Sequence, residues 1–482
     1  MKHIEGFTKY LGEKRPEELA DMLTFGIGER QTVDVFAGTL VQLIRVLGVE
    51  SGYPIIMMGE GLSMYTGKKY VPLDDDTIMY DIIEPLVQAC NLDGRKTYDV
   101  SFAKKFKKYA ADVLSARSVF KRSLKPATGL VFSNGRLTLE NGKPKLIPGN
   151  DPKWLNTTYI DTPWRGLGKG PKTPTWDKFL PQAVPDAEFR DYMCAHLGNA
   201  ISMDPMGAQR ALILVGVGGA GKSTILMAME GIVGEEATAT VTSLGKLTEK
   251  DGLFAANLES STLCIASDSG ASVRDKEALK NLISKEPVSV TLKYMNPRKI
   301  MPRSSILVAS NDNQLSFLLT DTGLARRLDI IKFKSAVKAS ERNPHLGRDL
   351  VAEYPGIAHK LAEAMVEHAA GTNGRLLRPE AMERMVQEDA MENDVVAAAL
   401  HSAGLRVSHE DLDVGLYDTE FFAYFFEYLK NNGESTMTKR SMNKRLEGLN
   451  AYATRGAGNK RVWRFKVFDK QVFQSSNLIP IK

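Results

Sequence analysis

The most chemically informative part of the sequence is a glycine-rich octapeptide, GVGGAGKS, at residues 216–223. Its spacing fits the pattern G-x-x-x-x-G-K-S/T, which binds nucleoside triphosphates when it lies between a strand and a helix. The apolar residues 211–215 before it predict a buried strand, and residues 224–232 after it predict a helix. Backbone N–H groups and the positive end of the helix dipole would then surround the phosphates. The predicted nucleotide-binding residues are Gly216, Val217, Gly218, Gly219, Ala220, Gly221, Lys222, Ser223 and Thr224.

Two side chains of this glycine-rich loop suit the chemistry of ATP and Mg²⁺, which we predict as cofactors. Lys222 would reach the β and γ phosphates, and the Ser223 hydroxyl would ligate Mg²⁺. Asp268 is the second residue predicted to lie at the metal. The alternative for the loop is an ordinary glycine-rich turn with a solvated lysine, but the strand and helix beside it favour nucleotide binding.

Hydrolysis needs further polar groups, and the sequence offers them next to apolar runs that predict strands. Asp268 ends one such run and is predicted to activate water, with helix capping as its alternative role. Asn311 ends another and would sense the γ phosphate, unless it only forms a turn. Arg326 and Arg327 precede a further apolar run. This pair would either bind surface acids or reach the nucleotide of a neighbouring subunit in a ring.

The composition is that of a globular protein: of 482 residues, 43% are hydrophobic and 25% are charged. This length predicts about three domains. The three cysteines, Cys90, Cys194 and Cys264, form neither a metal motif nor an even disulfide set, which favours a reducing compartment. No signal peptide and no run of about 18 apolar residues is evident. We therefore expect a cytoplasmic protein without a membrane partner.

The positive charge of the chain is unevenly distributed. The net charge is +5 overall, but residues 430–482 contain twelve Lys or Arg against three Asp or Glu. Residues 101–126 contain eight Lys or Arg and only one acid. Either stretch is compatible with a solvated face, but two of them beside a nucleotide-binding core favour a polyanion such as nucleic acid as partner.

The order of predicted elements indicates an α/β core between two further regions. Strands are expected at 211–215, 262–266, 288–294, 304–309 and 328–333, with helices between them. This alternation predicts a parallel sheet flanked by helices. The predicted segments are a helical N-terminal collar or oligomerisation domain (1–128), a β-insert with a Pro/Gly-rich linker (129–185), the core (186–345), a helical extension (346–405) and a basic winged-helix-like domain (406–482).

The ordered set of motifs resembles the superfamily 3 helicases of the AAA+ class of P-loop NTPases. The similarity is greatest to the helicase part of primase–helicases from phages, plasmids and large DNA viruses, and it covers about 129–333. Stretches 130–135, 175–180 and 286–294 also look like that family. One departure is that Asp268 stands alone between two serines, where AAA+ proteins often have two adjacent acids. The shorter reach of Asp relative to Glu puts the turnover rate in question.

The resemblance implies that residues 288–303 form a hairpin that projects into the central channel of a ring. This segment has four cations and no acid, which suits a sequence-independent grip on a DNA backbone. The alternative is an ordinary exposed hairpin. The residues predicted to contact DNA here are Lys293, Tyr294, Arg298, Lys299 and Arg303.

The basic C-terminal segment predicts a second set of DNA contacts. Its order of helix, basic helix and hairpin is that of a small winged-helix module. Duplex or origin binding, a non-specific electrostatic tether and a protein-interaction role all remain open. The residues predicted to contact DNA are Lys439, Arg440, Lys444 and Arg461.

Together these features predict an ATP-dependent, ring-forming DNA helicase, a homo-hexamer that translocates on single-stranded or forked DNA. It would act in replication of a phage, plasmid or mobile element inside a bacterial host. No primase centre is evident, so a separate primase and other replication proteins are expected partners. The main alternative is an ATP-switched origin-binding or scaffold protein with little unwinding activity. A small-molecule phosphotransferase is disfavoured, because it would not need the basic hairpin and tail.

Overall fold

The fold is described from a computed structural model. It describes residues 5–14, 33–58, 61–74, 76–89, 102, 105–106, 109–110, 128–249, 252–268, 273, 275–291, 297–311, 321–333, 343–392, 395–408, 412–432, 437–449 and 451–480. The chain divides into two compact units, of which the first comprises 1–311 and 331–377 and the second 312–330 and 378–482. Among the described helices, none is long and apolar enough to cross a membrane.

The N-terminal region packs helices against a small antiparallel sheet. Its elements are α1 (Glu5–Glu13), α2 (Val33–Glu50), β1 (Ile55–Met58), β2 (Gly61–Tyr65), β3 (Tyr70–Pro72), a π-helix (Thr77–Ile83) and α3 (Glu84–Ala89). Apolar residues from the helices and from β1 and β2 form one buried cluster, which includes Phe7, Leu40 and Phe106. The Asp74 carboxylate accepts a hydrogen bond from the Thr77 N–H at 2.6 Å and so caps the start of the π-helix.

The β-rich insert is an antiparallel meander of β4 (Leu130–Phe132), β5 (Gly135–Glu140) and β6 (Lys143–Pro148), followed by α4 (Pro174–Ala183). The segment between β6 and α4 lacks regular structure, as predicted, but it is not a loose linker. Asn156, Thr157 and Thr158 are buried. The Asn156 amide donates to the Lys68 carbonyl at 2.7 Å, and the Thr157 hydroxyl hydrogen-bonds that of Thr262. These contacts join the N-terminal sheet to the core.

The core is a parallel five-stranded sheet flanked by helices, which confirms the predicted α/β architecture. Its strands differ from the predicted set in one member: the strand Thr238–Val241 was not predicted, and the strand that begins at Val288 belongs to a separate two-stranded sheet. From α5 to α12 the elements are α5 (Ala187–Ile201), β7 (Ala211–Val215), α6 (Lys222–Val233), a 3₁₀ turn (Glu235–Ala237), β8 (Thr238–Val241), α7 (Leu244–Leu247), α8 (Leu253–Asn257), β9 (Leu263–Asp268), α9 (Lys276–Ile283), β10 (Val288–Val290), β11 (Arg298–Ile300), β12 (Ser305–Ser310), α10 (Thr322–Ala325), β13 (Leu328–Lys332), α11 (Leu346–Val351) and α12 (Tyr354–Gly371). The strand order of the sheet is β13-β7-β12-β9-β8, so the strand before the glycine-rich loop, β7, lies inside the sheet. Helix α6 packs on β9 and β12, and α7 and α8 pack on β8.

Of the strand predicted over 288–294, only residues 288–291 belong to the described part, and residues 292–294 lie outside it. Strand β10 ends at Val290 and pairs with β11 in antiparallel register, so that Ser289 lies opposite Lys299.

The C-terminal part of the second unit contains helices around a sheet. In this sheet the strand Arg461–Val467 pairs with the strands Leu405–Arg406, Val414–Tyr417 and Tyr452–Arg455. The order helix, basic helix and hairpin is confirmed, and Trp463, Phe465 and Phe421 lie in its core. The winged-helix identity of this module stays a prediction. The elements are α13 (Glu380–Glu392), α14 (Val395–Ser402), β14 (Leu405–Arg406), β15 (Val414–Tyr417), α15 (Asp418–Asn431), α16 (Lys439–Gly448), β16 (Tyr452–Arg455), a 3₁₀ turn (Ala457–Asn459), β17 (Arg461–Val467) and α17 (Lys470–Ser475).

Candidate nucleotide site

The glycine-rich loop connects β7 to α6 and has the backbone of a phosphate cradle. Gly219 and Gly221 have φ values of 80° and 100°, a region that favours glycine. At Gly218 a Cβ would meet nothing within 4 Å, so this stretch of backbone is open to a ligand. By contrast, a Cβ on Gly221 would lie 2.8 Å from the Phe179 ring. The loop therefore needs glycine both for its turns and for its close packing on α4.

Lys222 is the first residue of α6, and its side chain is buried under the loop. Its ammonium donates hydrogen bonds to the carbonyl oxygens of Gly216 and, at 3.0 Å, of Val217. Ser223 beside it is exposed. Because the first N–H groups of a helix have no intrahelical acceptor and Gly221 offers no capping side chain, the helix start is suited to an anion.

Strand β12 lies between the strand of the glycine-rich loop and the strand of the predicted acid. Ser310 pairs with Val215 of β7 on one side and with Asp268 of β9 on the other. The Gly216 N–H also donates to the Ser310 carbonyl at 3.2 Å. Asn311 follows directly and is exposed, and at about 4.8 Å per strand the ends of β7 and β9 are roughly 10 Å apart. The carboxyl-terminal edge of the sheet thus brings together the loop, Asn311 and the backbone of Asp268, whose side chain is outside the described part.

Helix α4 holds the loop from its other side, through a residue that the sequence analysis missed. The Glu353 carboxylate is buried and accepts hydrogen bonds from the N–H groups of Thr175 and Trp176, at 2.9 and 3.0 Å. It therefore caps the start of α4, and Phe179 of the same helix packs against Gly221. Glu353 is 177 residues from Trp176 along the chain, so no local pattern in the sequence indicates this contact.

The arginine pair belongs to the second unit, where Arg378 holds the turn that carries it. Arg378 Nε lies 2.5 Å from Asp329 Oδ1, and its Nη2 donates to the carbonyls of Ala325 and Leu328 at 3.1 and 2.9 Å. Asp329 is fully buried and the Arg378 side chain is only 8% exposed. Arg326 is exposed, whereas Arg327 donates to the Gly323 carbonyl at 2.9 Å. Of the pair, Arg326 is therefore better placed to reach another molecule.

The hairpin cations predicted to contact DNA have different surroundings. Lys299 is exposed. Arg303 instead points inward, and its Nη2 donates a hydrogen bond to the Leu155 carbonyl at 2.8 Å. Burial lowers the pKa of Arg303 to about 10, although the negative charge of Glu259 acts to raise it. This position favours a structural role for Arg303 over a DNA contact. Three further predictions lie outside the described part, namely Lys293, Tyr294 and the side chain of Arg298.

The four C-terminal cations predicted to contact DNA lie around one groove, between α16 and the β16–β17 hairpin. Lys439 lies 3.1 Å from the Asp418 carboxylate, and Arg461 lies 2.9 Å from that of Glu447. Arg440 and Lys444 are exposed on α16.

Of the two residues predicted to ligate magnesium, Ser223 and Asp268, only Ser223 has a described side chain. In the described ranges no group of three or more His, Cys, Asp or Glu is placed to hold a metal. The exposed Ser223 hydroxyl at the open loop fits the usual behaviour of Mg²⁺, which takes one or two protein ligands together with phosphate oxygens and water.

The chain is similar to a family of unknown function and, at low sequence identity, to solved structures of one other protein. Residues 214–327 match the family described as "Family of unknown function (DUF5906)". Among solved structures, the apo A form of the NrS-1 C-terminal region has 14% sequence identity and a TM-score of 0.43, over 88% of this chain and 99% of that one. A structure of its residues 305–718 has 12% identity and a TM-score of 0.44, over the same shares. These values are too low to indicate a shared activity.

Proposed function

We propose that this protein binds ATP with Mg²⁺ at the glycine-rich loop and hydrolyses it to move along DNA. The observation that carries the proposal is the carboxyl-terminal edge of the sheet, where the loop, Asn311 and Asp268 lie at the ends of three adjacent strands. A nucleotide on the loop would place its γ phosphate towards the neighbouring strand ends, because Lys222 at the helix start holds the β and γ phosphates.

The proposed roles follow from these positions. Lys222 exchanges its contacts with the loop carbonyls for phosphate oxygens, and Ser223 ligates Mg²⁺, which neutralises phosphate charge when bound. Asn311 donates its amide to the γ phosphate or the attacking water. Asp268 accepts a proton from that water while the water oxygen bonds to the γ phosphorus. The bond between the γ phosphorus and the bridging oxygen then breaks and ADP leaves. Arg326 completes the nucleotide site of a neighbouring subunit in a ring, the role that the resemblance to superfamily 3 helicases implies.

Movement on DNA is supported by the distribution of charge and by the resemblance to superfamily 3 helicases. Lys299 is exposed on the hairpin, and residues 430–482 are strongly basic. We place the activity in replication of a phage, plasmid or mobile element, in the host cytoplasm, with a homo-hexamer as the working assembly. A separate primase would supply primers.

Steady-state ATP hydrolysis with and without single-stranded DNA tests this function. Lys222→Ala should abolish hydrolysis, and Lys299→Ala should retain the basal rate but lose its stimulation by DNA. Lys178→Ala, which removes an exposed lysine outside the loop, is the matched control and should behave as wild type. Full stimulation of the Lys299→Ala protein would show that the hairpin does not grip DNA.

A scaffold that uses ATP only as an assembly switch is the second candidate. The observation that favours it is the single acid, Asp268, between Ser267 and Ser269. A forked DNA substrate separates the two candidates, because a helicase releases one strand in the presence of ATP whereas a scaffold binds the fork and leaves it paired.

A further inference from the structure

The C-terminal module contains a groove with a cavity volume of about 890 Å³, between α16, the start of α15 and the β16–β17 hairpin. Six of the ten residues around this groove are Lys or Arg, and two are acidic. All belong to the second unit. The groove residues are Asp418, Thr419, Lys439, Arg440, Asn443, Lys444, Glu447, Arg455, Lys460 and Arg461.

The two acids of the groove hold its walls together. Lys439 of α16 pairs with Asp418 of α15 at 3.1 Å, and Arg461 of β17 pairs with Glu447 of α16 at 2.9 Å. Because each acid already has a cation, neither neutralises the remaining four cations. Lys439 and Arg461 are therefore positioning residues, which fix the hairpin and α15 relative to α16.

The four remaining cations form two pairs on different walls. Arg440 and Lys444 are exposed and one helical turn apart on α16. Arg455 and Lys460 flank the turn of the hairpin; Arg455 donates to the Asn459 carbonyl at 3.0 Å, and Lys460 lies 5.7 Å from the centre of the Tyr417 ring. Neither contact pairs the cation with a carboxylate, so the positive charge is not neutralised by it. The groove thus carries excess positive charge on both walls.

The lining of the groove offers no aromatic ring for stacking, and the amide oxygen of its only asparagine is already engaged. None of its ten lining residues is aromatic, whereas proteins that hold single strands usually stack bases on aromatic rings. The amide of Asn443, which could have read a base edge, accepts a hydrogen bond from Trp463 Nε1 at 3.0 Å. What remains is suited to phosphate oxygens, which fix position but not sequence.

We propose that this groove binds the phosphate backbone of double-stranded DNA without sequence preference, through Arg440, Lys444, Arg455 and Lys460. The site would hold the duplex independently of the nucleotide site, since it lies wholly within the second unit. Its role would be to keep the protein on the duplex beside the strand on which the core acts.

Fluorescence anisotropy of a labelled duplex of mixed sequence, titrated with the full chain at several salt concentrations, tests the proposal. Each phosphate contact contributes about 0.9 to the slope of log K against log salt, so replacing all four cations by alanine should lower the slope by about 3 to 4. The control variant, Arg406→Ala/Lys430→Ala, removes two exposed cations of the same unit outside the groove and should change the slope little.

Three results would overturn the proposal: an unchanged slope in the fourfold variant, an equal loss in the control, or a loss of affinity for single-stranded DNA alone. The four side chains are at the surface, so circular dichroism and the thermal midpoint should match wild type. ATP hydrolysis should also persist in the fourfold variant. If the wild-type protein hydrolyses no ATP but its salt slope for duplex DNA still falls in the fourfold variant, the proposed function is refuted and the groove proposal stands.

Discussion

The buried pair of Arg378 and Asp329 gives a prediction whose size can be worked out from the structure. Arg378→Met keeps the length of the side chain but removes the guanidinium, which leaves the fully buried Asp329 carboxylate without this partner. It also removes the donor to the carbonyls of Ala325 and Leu328. Removing one partner of a buried ion pair costs about 3–5 kcal/mol, because the remaining charge stays desolvated.

Urea unfolding followed by tryptophan fluorescence measures this cost, since Trp463 is buried in the same unit. With a urea slope of about 2 kcal/mol per molar, the loss should lower the unfolding midpoint by roughly 1.5–2.5 M. The double variant Arg378→Met/Asp329→Leu replaces both charges by apolar groups and should recover most of the loss. A single-variant shift below about 0.5 M, or a double variant no more stable than the single one, would refute the buried-pair account.

Three further predictions concern the first unit. Gly221→Ala should lower the thermal midpoint by several degrees, about 1–2 kcal/mol, because its φ is 100° and Phe179 is adjacent, whereas Gly218→Ala should not. Glu353→Ala should cost about 1–3 kcal/mol in urea unfolding, since two N–H groups at the start of α4 lose their acceptor; a neutral result would show that the cap is dispensable. Burial lowers the pKa of His359, so its contribution to stability is present above the unfolded value of about 6.5 and is lost as pH falls through the lower folded value. His359→Phe should therefore weaken the acid dependence of the thermal midpoint between about pH 7 and 5, and an unchanged pH profile would contradict this.

The elements that depend on a local sequence pattern can be predicted from the sequence. The strand 211–215 is predicted to the residue, because an apolar run bounded by Arg210 and a glycine-rich turn leaves little freedom in its ends. Asn134-Gly135 and Asn141-Gly142 likewise mark turns of the insert, where Asn141 and Gly142 have positive φ.

The features that the sequence did not reveal depend on partners distant along the chain. Nothing near Arg303 in the sequence indicates that the Leu155 carbonyl will accept its hydrogen bond, so the sequence does not distinguish Arg303 from the exposed Lys299. Arg378 lies 49 residues from Asp329, and neither residue belongs to a motif. The position of β12 between β7 and β9 is also non-local, yet it decides that Asn311 lies between the loop and Asp268.

The most direct test of the central claim is calorimetric titration of the full chain with a non-hydrolysable ATP analogue and Mg²⁺. Lys222 is buried under the loop that would hold the phosphates, so wild type and the Lys178→Ala control should bind the analogue. Lys222→Ala should lose most of that affinity, because no other side chain of the loop carries a positive charge. Equal affinity in wild type and Lys222→Ala, or no binding to wild type, would contradict a nucleotide site at this loop.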